Sequence, residues 1–161
     1  MPAIHPVPDK NDLLQILSML YGDALTLDTG TAVASDAGSK SVVAIYVNDD
    51  NVPVTACICD YGFVAYAGSA LTRIPPAGAE DAAESGDFSD MMLGNHHEVM
   101  NICSRLFMKG KSPHIRLDKV YASPDELPEA AQSVIESDAG CAHFEIEVPG
   151  YGKGSVSFLS T

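Results

Sequence analysis

The chain has 161 residues, 46% hydrophobic and 19% charged, which is enough for one compact domain with its own core and cramped for two. Nine Lys plus Arg against 22 Asp plus Glu leave a net charge of −13, a field that repels phosphate backbones and anionic lipid surfaces and argues against nucleic-acid or membrane partners. No apolar run reaches the roughly 20 residues of a membrane span and the start lacks a signal-peptide pattern, so the sequence reads as a cytoplasmic protein. Cys57, Cys59, Cys103 and Cys141 lie in apolar stretches at no zinc-finger spacing and are expected as buried free thiols.

Residues 1–10 form a Pro-interrupted leader. Asn11 or Asp12 then caps a helix with Leu13, Leu14, Ile16, Leu17 and Leu20 on one stripe, ending at Gly22. Leu25–Val33 predicts a first strand with Leu25 and Leu27 inward, and Asp36–Lys40 turns the chain. Ser41–Val47 and Val52–Cys59 flank Asn48-Asp49-Asp50-Asn51 and predict a hairpin, with Cys57 and Cys59 on one face. Tyr61–Leu71 predicts a short Ala-rich helix stopped by Pro75-Pro76.

Residues 77–90 carry Glu80, Asp81, Glu84, Asp87 and Asp90 among Ala, Gly and Ser, and predict a mobile acidic loop. Phe88–Met108 is the longest helical candidate. His114–Val120 predicts a strand in which Val120 falls out of the alternation. Ser123-Pro124-Asp125-Glu126 opens a helix reaching Ile135, and Ala142–Val148 with Gly154–Leu159 predicts a closing hairpin. The order is helix, three strands, two helices, strand, helix, two strands, within a single domain over 1–161. The class is α+β, a largely antiparallel sheet with long helices packed on it.

At 3.6 residues per turn, Met92, Val99, Cys103 and Leu106 share the buried side of the long helix, with Met100, Ile102 and Phe107 at its margins. Glu98, Asn101 and Arg105 share the opposite side with Gly94, so Glu98 and Asn101 project side by side to solvent. An exposed carboxamide both accepts from and donates to a water and can aim its lone pair at a phosphorus atom, while a carboxylate beside it anchors a cation. The bland alternative is a solvated helix face.

Glu98-Val99-Met100-Asn101 on a long helix, preceded by the hairpin and the Ala-rich helix and followed by a strand and Pro124, resembles the CheX/CheC/FliY group of chemotaxis phosphatases. The group's pattern is Asp or Ser, three residues, Glu, two residues, Asn, and a later Pro. Glu98, Asn101 and Pro124 match it. Gly94 stands where the group has Asp or Ser, and Ile102-Cys103-Ser104-Arg105 replaces the usual small residues after the Asn. The element order matches from the Asp12 helix to the Phe158 strand, and the single Glu-x-x-Asn is closer to CheX than to the two-motif CheC.

The resemblance implies a CheX/CheC-like fold and dephosphorylation of a response regulator such as phospho-CheY. Asn101 would orient the attacking water, and Glu98 would bind a lysine of the regulator. The chain would need no cofactor of its own, since the regulator supplies Mg2+. Gly94, His97, Arg105 and Pro124 would border the partner. The group pairs as homodimers through sheet edges, an arrangement open to the closing hairpin here. The rival expectation is a binding or scaffold domain that keeps the fold without the reaction, as Gly94 permits.

Two other motifs dissolve on inspection. His96 and His97 diverge by about 100° on a helix and lack the His-Glu-x-x-His spacing, so no metal site is expected; His96 turns toward the core and His97 toward the polar side. Gly150-Tyr151-Gly152-Lys153-Gly154 joins two strands and is a hairpin turn rather than a phosphate loop. The acidic excess lies mostly in turns and reads as a solubility or salt-adaptation feature.

Overall fold

The computed structural model describes residues 5–137 and 139–161. Of the expected leader, residues 1–4 lie outside the described residues. His5 is buried, and its carbonyl accepts from Ser160 Oγ at 2.8 Å, so this part of the leader is fastened to the sheet. Helix α1 (Lys10–Tyr21) is capped by Asp9, which accepts from the Asp12 N–H at 2.8 Å, rather than by Asn11 or Asp12. Asp12 sits in the first turn, against the positive end of the helix dipole, and pairs with Lys109.

Strand β1 (Thr26–Thr29) is shorter than the expected Leu25–Val33. It pairs with the chain's penultimate strand over those residues, Gly30 N–H donates to the His143 carbonyl at 2.9 Å just beyond them, and farther on Val33 N–H donates to Ser157 Oγ at 2.9 Å. Strands β2 (Ser41–Asn48) and β3 (Pro53–Asp60) form the expected hairpin, and Asn48 Oδ1 closes its turn by accepting from the N–H groups of Asp50 and Val52. Helix α2 (Tyr61–Ala70) follows directly, capped by Asp60 Oδ1 on the Phe63 N–H at 2.8 Å.

The stretch 77–90, expected as an acidic loop, is mostly helix α3 (Pro76–Ser85). Pro76 opens it instead of merely stopping α2, Gly86 ends it in the left-handed region at φ 80, and Ala79 and Ala82 are buried. Small apolar residues sufficed to seat a helix that the charge density had seemed to forbid. Helix α4 (Asp90–Cys103) is shorter than Phe88–Met108 because Ser89 caps it and its last turn tightens into a 3-10 turn over Ser104–Phe107. The observed order therefore has three helices, not two, after the hairpin.

Strand β4 (Ile115–Tyr121) pairs with β2, and its register slips so that Leu117 faces Tyr46 while Lys119 faces Ile45. Asp118 is the extra residue of a β-bulge, which returns Val120 to the face of Leu117 and explains its break in the alternation. The helix expected over 123–135 is split by Pro128 into a 3-10 turn (Pro124–Glu126) and α5 (Glu129–Ile135). Strands β5 (Gly140–Val148) and β6 (Gly152–Ser160) form the closing hairpin.

All pairings are antiparallel, in the order β1-β5-β6-β3-β2-β4. One face of the sheet, with Val42, Ala44, Tyr46, Cys57, Cys59 and Phe158, is covered by α1, α2 and α4. The other face, with Val43, Ile45, Ala56 and Ile58, receives Leu127 and the Ala131 and Val134 side of α5. Burying Leu13 and Leu17 alone contributes about 2 kcal/mol each. Cys57 and Cys59 share the helix-covered face, their sulfurs 3.8 Å apart, but Cys141 is exposed rather than buried. It lies on the α5 side of β5, which α5, seated over β3 and β6, leaves open.

His96 is fully buried beside Phe63, and neither ring nitrogen has a hydrogen-bond partner. Burial pushes its pKa down to about 4, with the neighbouring His97 adding to the effect. Above its ordinary value of 6.5 the ring is neutral folded or unfolded; below that the unfolded chain takes up a proton that the folded core refuses. Stability therefore falls as pH drops from 6.5 toward 4, by about 3 kcal/mol from this residue. Urea unfolding at neutral and mildly acidic pH should show His96→Leu losing less stability than the parent chain, and equal losses would refute the assignment.

Candidate functional site

Helix α4 is fixed from three sides before it displays anything. Ser89 Oγ accepts from the Met92 N–H at 3.2 Å, and Asp90 stands in the first turn. Tyr46, buried in the sheet, donates its hydroxyl proton to the Met100 carbonyl at 2.6 Å. Burial, with the neighbouring Cys57, Cys103 and Cys59 adding to it, holds the Tyr46 phenol well above its usual pKa, so it remains a donor. From the α2 side, Asn95 Nδ2 donates to Gly68 O at 2.8 Å and to Thr72 Oγ1 at 2.9 Å.

Gly68 allows this contact, since a Cβ there would lie 2.8 Å from the Met92 carbonyl oxygen. Sequence reasoning missed both Asn95 and Gly68. For Gly68 the signal was present in the small-residue run Ala67-Gly68-Ser69-Ala70, which marks close backbone approach when a helix carries it.

Met92, His96, Val99, Met100 and Cys103 form the buried side of α4. Gly94, His97, Glu98, Asn101 and Arg105 are all exposed, as their spacing led one to expect. Among the described residues, the Glu98 and Asn101 side chains make no hydrogen bond or ion pair within the chain, so their polar groups face solvent. A rigid helix thus presents a carboxylate and a carboxamide one turn apart, a geometry able to hold a partner's cation and a water at adjacent points.

Beside this ridge lies a recess of about 370 Å³ between α4 and the sheet, walled by Val42, Leu93, Gly94, His97, Val120 and Ala122. Leu93, in its α4 wall, is 37% exposed. Pro124 is not part of the ridge. It is buried, its carbonyl accepts from Gln132 Nε2 at 3.3 Å, and it lines a different recess with Asp36, Asp125 and Ile135 on the α5 side. The Ser123 cap and the 3-10 turn carry the chain inward there, so Pro124, which the resemblance would set at the border of a partner, is buried beside the α5-side recess rather than displayed with Glu98 and Asn101.

His96 and His97 point apart, one into the core and one to solvent, and the described residues contain no group of three or more His, Cys, Asp or Glu arranged to hold a metal. No helix among the described residues is long and apolar enough to cross a membrane.

Nothing lies within 4 Å of a Cβ built on Gly94, and its backbone is ordinary helix. A mid-helix Gly costs about 1 kcal/mol relative to Ala. Gly94→Ala should therefore raise unfolding stability by about that amount in urea titration; an unchanged or lowered midpoint would contradict the open geometry.

Compared by sequence, the chain matches no protein-family model and no curated protein. Compared by structure, it is similar to FliM in the FliM–SpeE complex from H. pylori, with a TM-score of 0.61 at 8% identity over 93% of this chain and 80% of that one. It is similar to CheX in the CheX–CheY–BeF3–Mg2+ complex from Borrelia burgdorferi, with a TM-score of 0.54 at 12% identity over 90% of each chain. FliY from Thermotoga maritima gives a TM-score of 0.53 at 17% identity over 92% of this chain and 81% of that one. The six-stranded antiparallel sheet and its helices are thus those of the CheX-like fold, and the chain has the fold shared by CheX, FliY and FliM.

Proposed function

We propose that this protein is a CheX-like phosphatase that hydrolyses the aspartyl phosphate of a response regulator. The observation that carries the reading is the pair Glu98 and Asn101, exposed side by side on a helix clamped by Tyr46 and Asn95. In this reading Glu98 forms an ion pair with a lysine of the regulator and sets the register of docking. The Asn101 carboxamide holds a water in line with the phosphorus. Water oxygen bonds to phosphorus, the bond from phosphorus to the aspartyl oxygen breaks, and inorganic phosphate and the free carboxylate leave. The regulator's own Mg2+ neutralises charge on the phosphoryl oxygens. No covalent intermediate forms on this chain.

A second reading has a specific observation behind it. Gly94 supplies no side chain where the CheX pattern has Asp or Ser, and an apolar recess opens there instead. Such a surface suits a binding or scaffold domain, and FliM, known in complexes with SpeE and with FliG, has the same fold.

The two readings separate in one assay. A phosphorylated CheY-like receiver domain with Mg2+ should lose phosphate faster in the presence of the protein, and Asn101→Ala should reduce that acceleration at least about tenfold while leaving the thermal midpoint unchanged. Tight binding without faster decay across several receivers would contradict the phosphatase and favour the binding domain.

A further inference from the structure

The recess beside Gly94 differs in chemistry from the ridge it adjoins. Val42, Leu93, Val120 and Ala122 give it apolar walls, and His97 is its single polar lining residue. Its volume of about 370 Å³ admits a large aliphatic or aromatic side chain with room to spare. Leu93, 37% exposed, forms part of its α4 wall and is one of the four large hydrophobics most exposed among the described residues. A large apolar side chain held partly in water at the rim of an apolar hollow is a usual feature of an anchor site.

Two carboxylates flank this hollow on its helix side. Asp90 and Glu98 bracket its α4 wall, each one helical turn from Gly94. Both carboxylates are exposed, and α4 itself carries no Lys or Arg. On β4, Lys119 stands opposite Ile45 on the other face of the sheet, over the Tyr121 ring at 5.0 Å from its centroid, and so turns away from the recess. An apolar side chain entering the recess therefore arrives through a negative field, which favours an anchor flanked by Lys or Arg and opposes one flanked by acids.

We infer that the recess opened by Gly94 is a socket for one large apolar side chain of the regulator, carried next to a basic residue, and that it helps select which regulator docks on the Glu98 and Asn101 ridge. The inference rests on the regulator-binding part of the proposed function and adds the chemistry of the contact. Gly94 is then a specificity residue: the missing side chain exchanges a polar contact for an apolar one. The socket lies one turn from Glu98, so a lysine on Glu98 and an apolar anchor in the hollow come from one stretch of the partner's surface.

The test is binding of a beryllofluoride-activated receiver domain with Mg2+, measured by titration calorimetry so that hydrolysis plays no part. Gly94→Leu fills the socket from the helix wall, and Ala122→Leu fills it from the opposite wall, away from the ridge. Both should weaken binding about tenfold, Gly94→Ala should bind nearly as the parent does, and affinity should fall as salt rises. Circular dichroism establishes that each variant is folded. Weakening by Gly94→Leu with none by Ala122→Leu marks simple obstruction of the ridge and overturns the socket, as does unchanged binding by both. Binding that follows the expected pattern without hydrolysis by the parent protein overturns the phosphatase and leaves the socket standing. A parent protein that binds no receiver overturns both.

Discussion

The architecture turns on how closely α4 is drawn against its neighbours. Gly68 lets the backbones of α2 and α4 touch, Asn95 ties the contact with two hydrogen bonds, and the Tyr46 hydroxyl reaches up from the sheet to the Met100 carbonyl. A buried hydrogen bond from a phenol and a close-packed helix pair both resist small displacements, because each loses most of its energy within a fraction of an ångström. Glu98 and Asn101 therefore owe their spacing to the helix and their fixed position to its contacts with other elements. The helix supplies the display, and Gly68, Asn95 and Tyr46 supply the rigidity that positions a water or a partner's lysine.

The same helix carries the least comfortable residue of the core. His96 is buried with both ring nitrogens unpartnered, in a place where an aliphatic side chain would cost nothing. It lies on the inner side of α4 and Glu98 on the outer side, so stability and display are properties of one element. Charge is divided along the chain in a similar way. The α3 and α4 region is uniformly acidic, whereas Arg105, Lys109, Lys111, Arg116 and Lys119 cluster in the turn and edge strand after it, so the ridge lies near a boundary in the surface field.

Much of this was legible in the sequence, and the reasons are specific. Strands β2 and β3 read as continuous β-branched and apolar runs because both their faces are buried, β5 alternates because one of its faces is open, and the spacing of Val99, Cys103 and Leu106 fixed which side of α4 turned outward. Helix α3 escaped notice because its core contribution is Ala79 and Ala82, residues too small to register as an apolar stripe among so many acids. The β4 bulge was visible as Val120 out of phase, but an extra residue at Asp118 becomes evident only once the partner strand is present. Pro124 matched a pattern by position and still proved buried, since a motif gives order along the chain and not exposure. Asn95 had no sequence mark at all, because its role depends on a carbonyl 27 residues away.

The most direct test of the account is whether the Asn101 side chain meets the reacting centre of a partner. Side-chain amide signals of Asn101 followed by NMR during titration with a beryllofluoride-activated receiver and Mg2+ would report on that contact at a single residue. The account predicts a large shift of those signals, accompanied by changes along the exposed side of α4 and around Gly94. Changes confined to the α5 face near Asp36 and Asp125, with Asn101 unmoved, would contradict it.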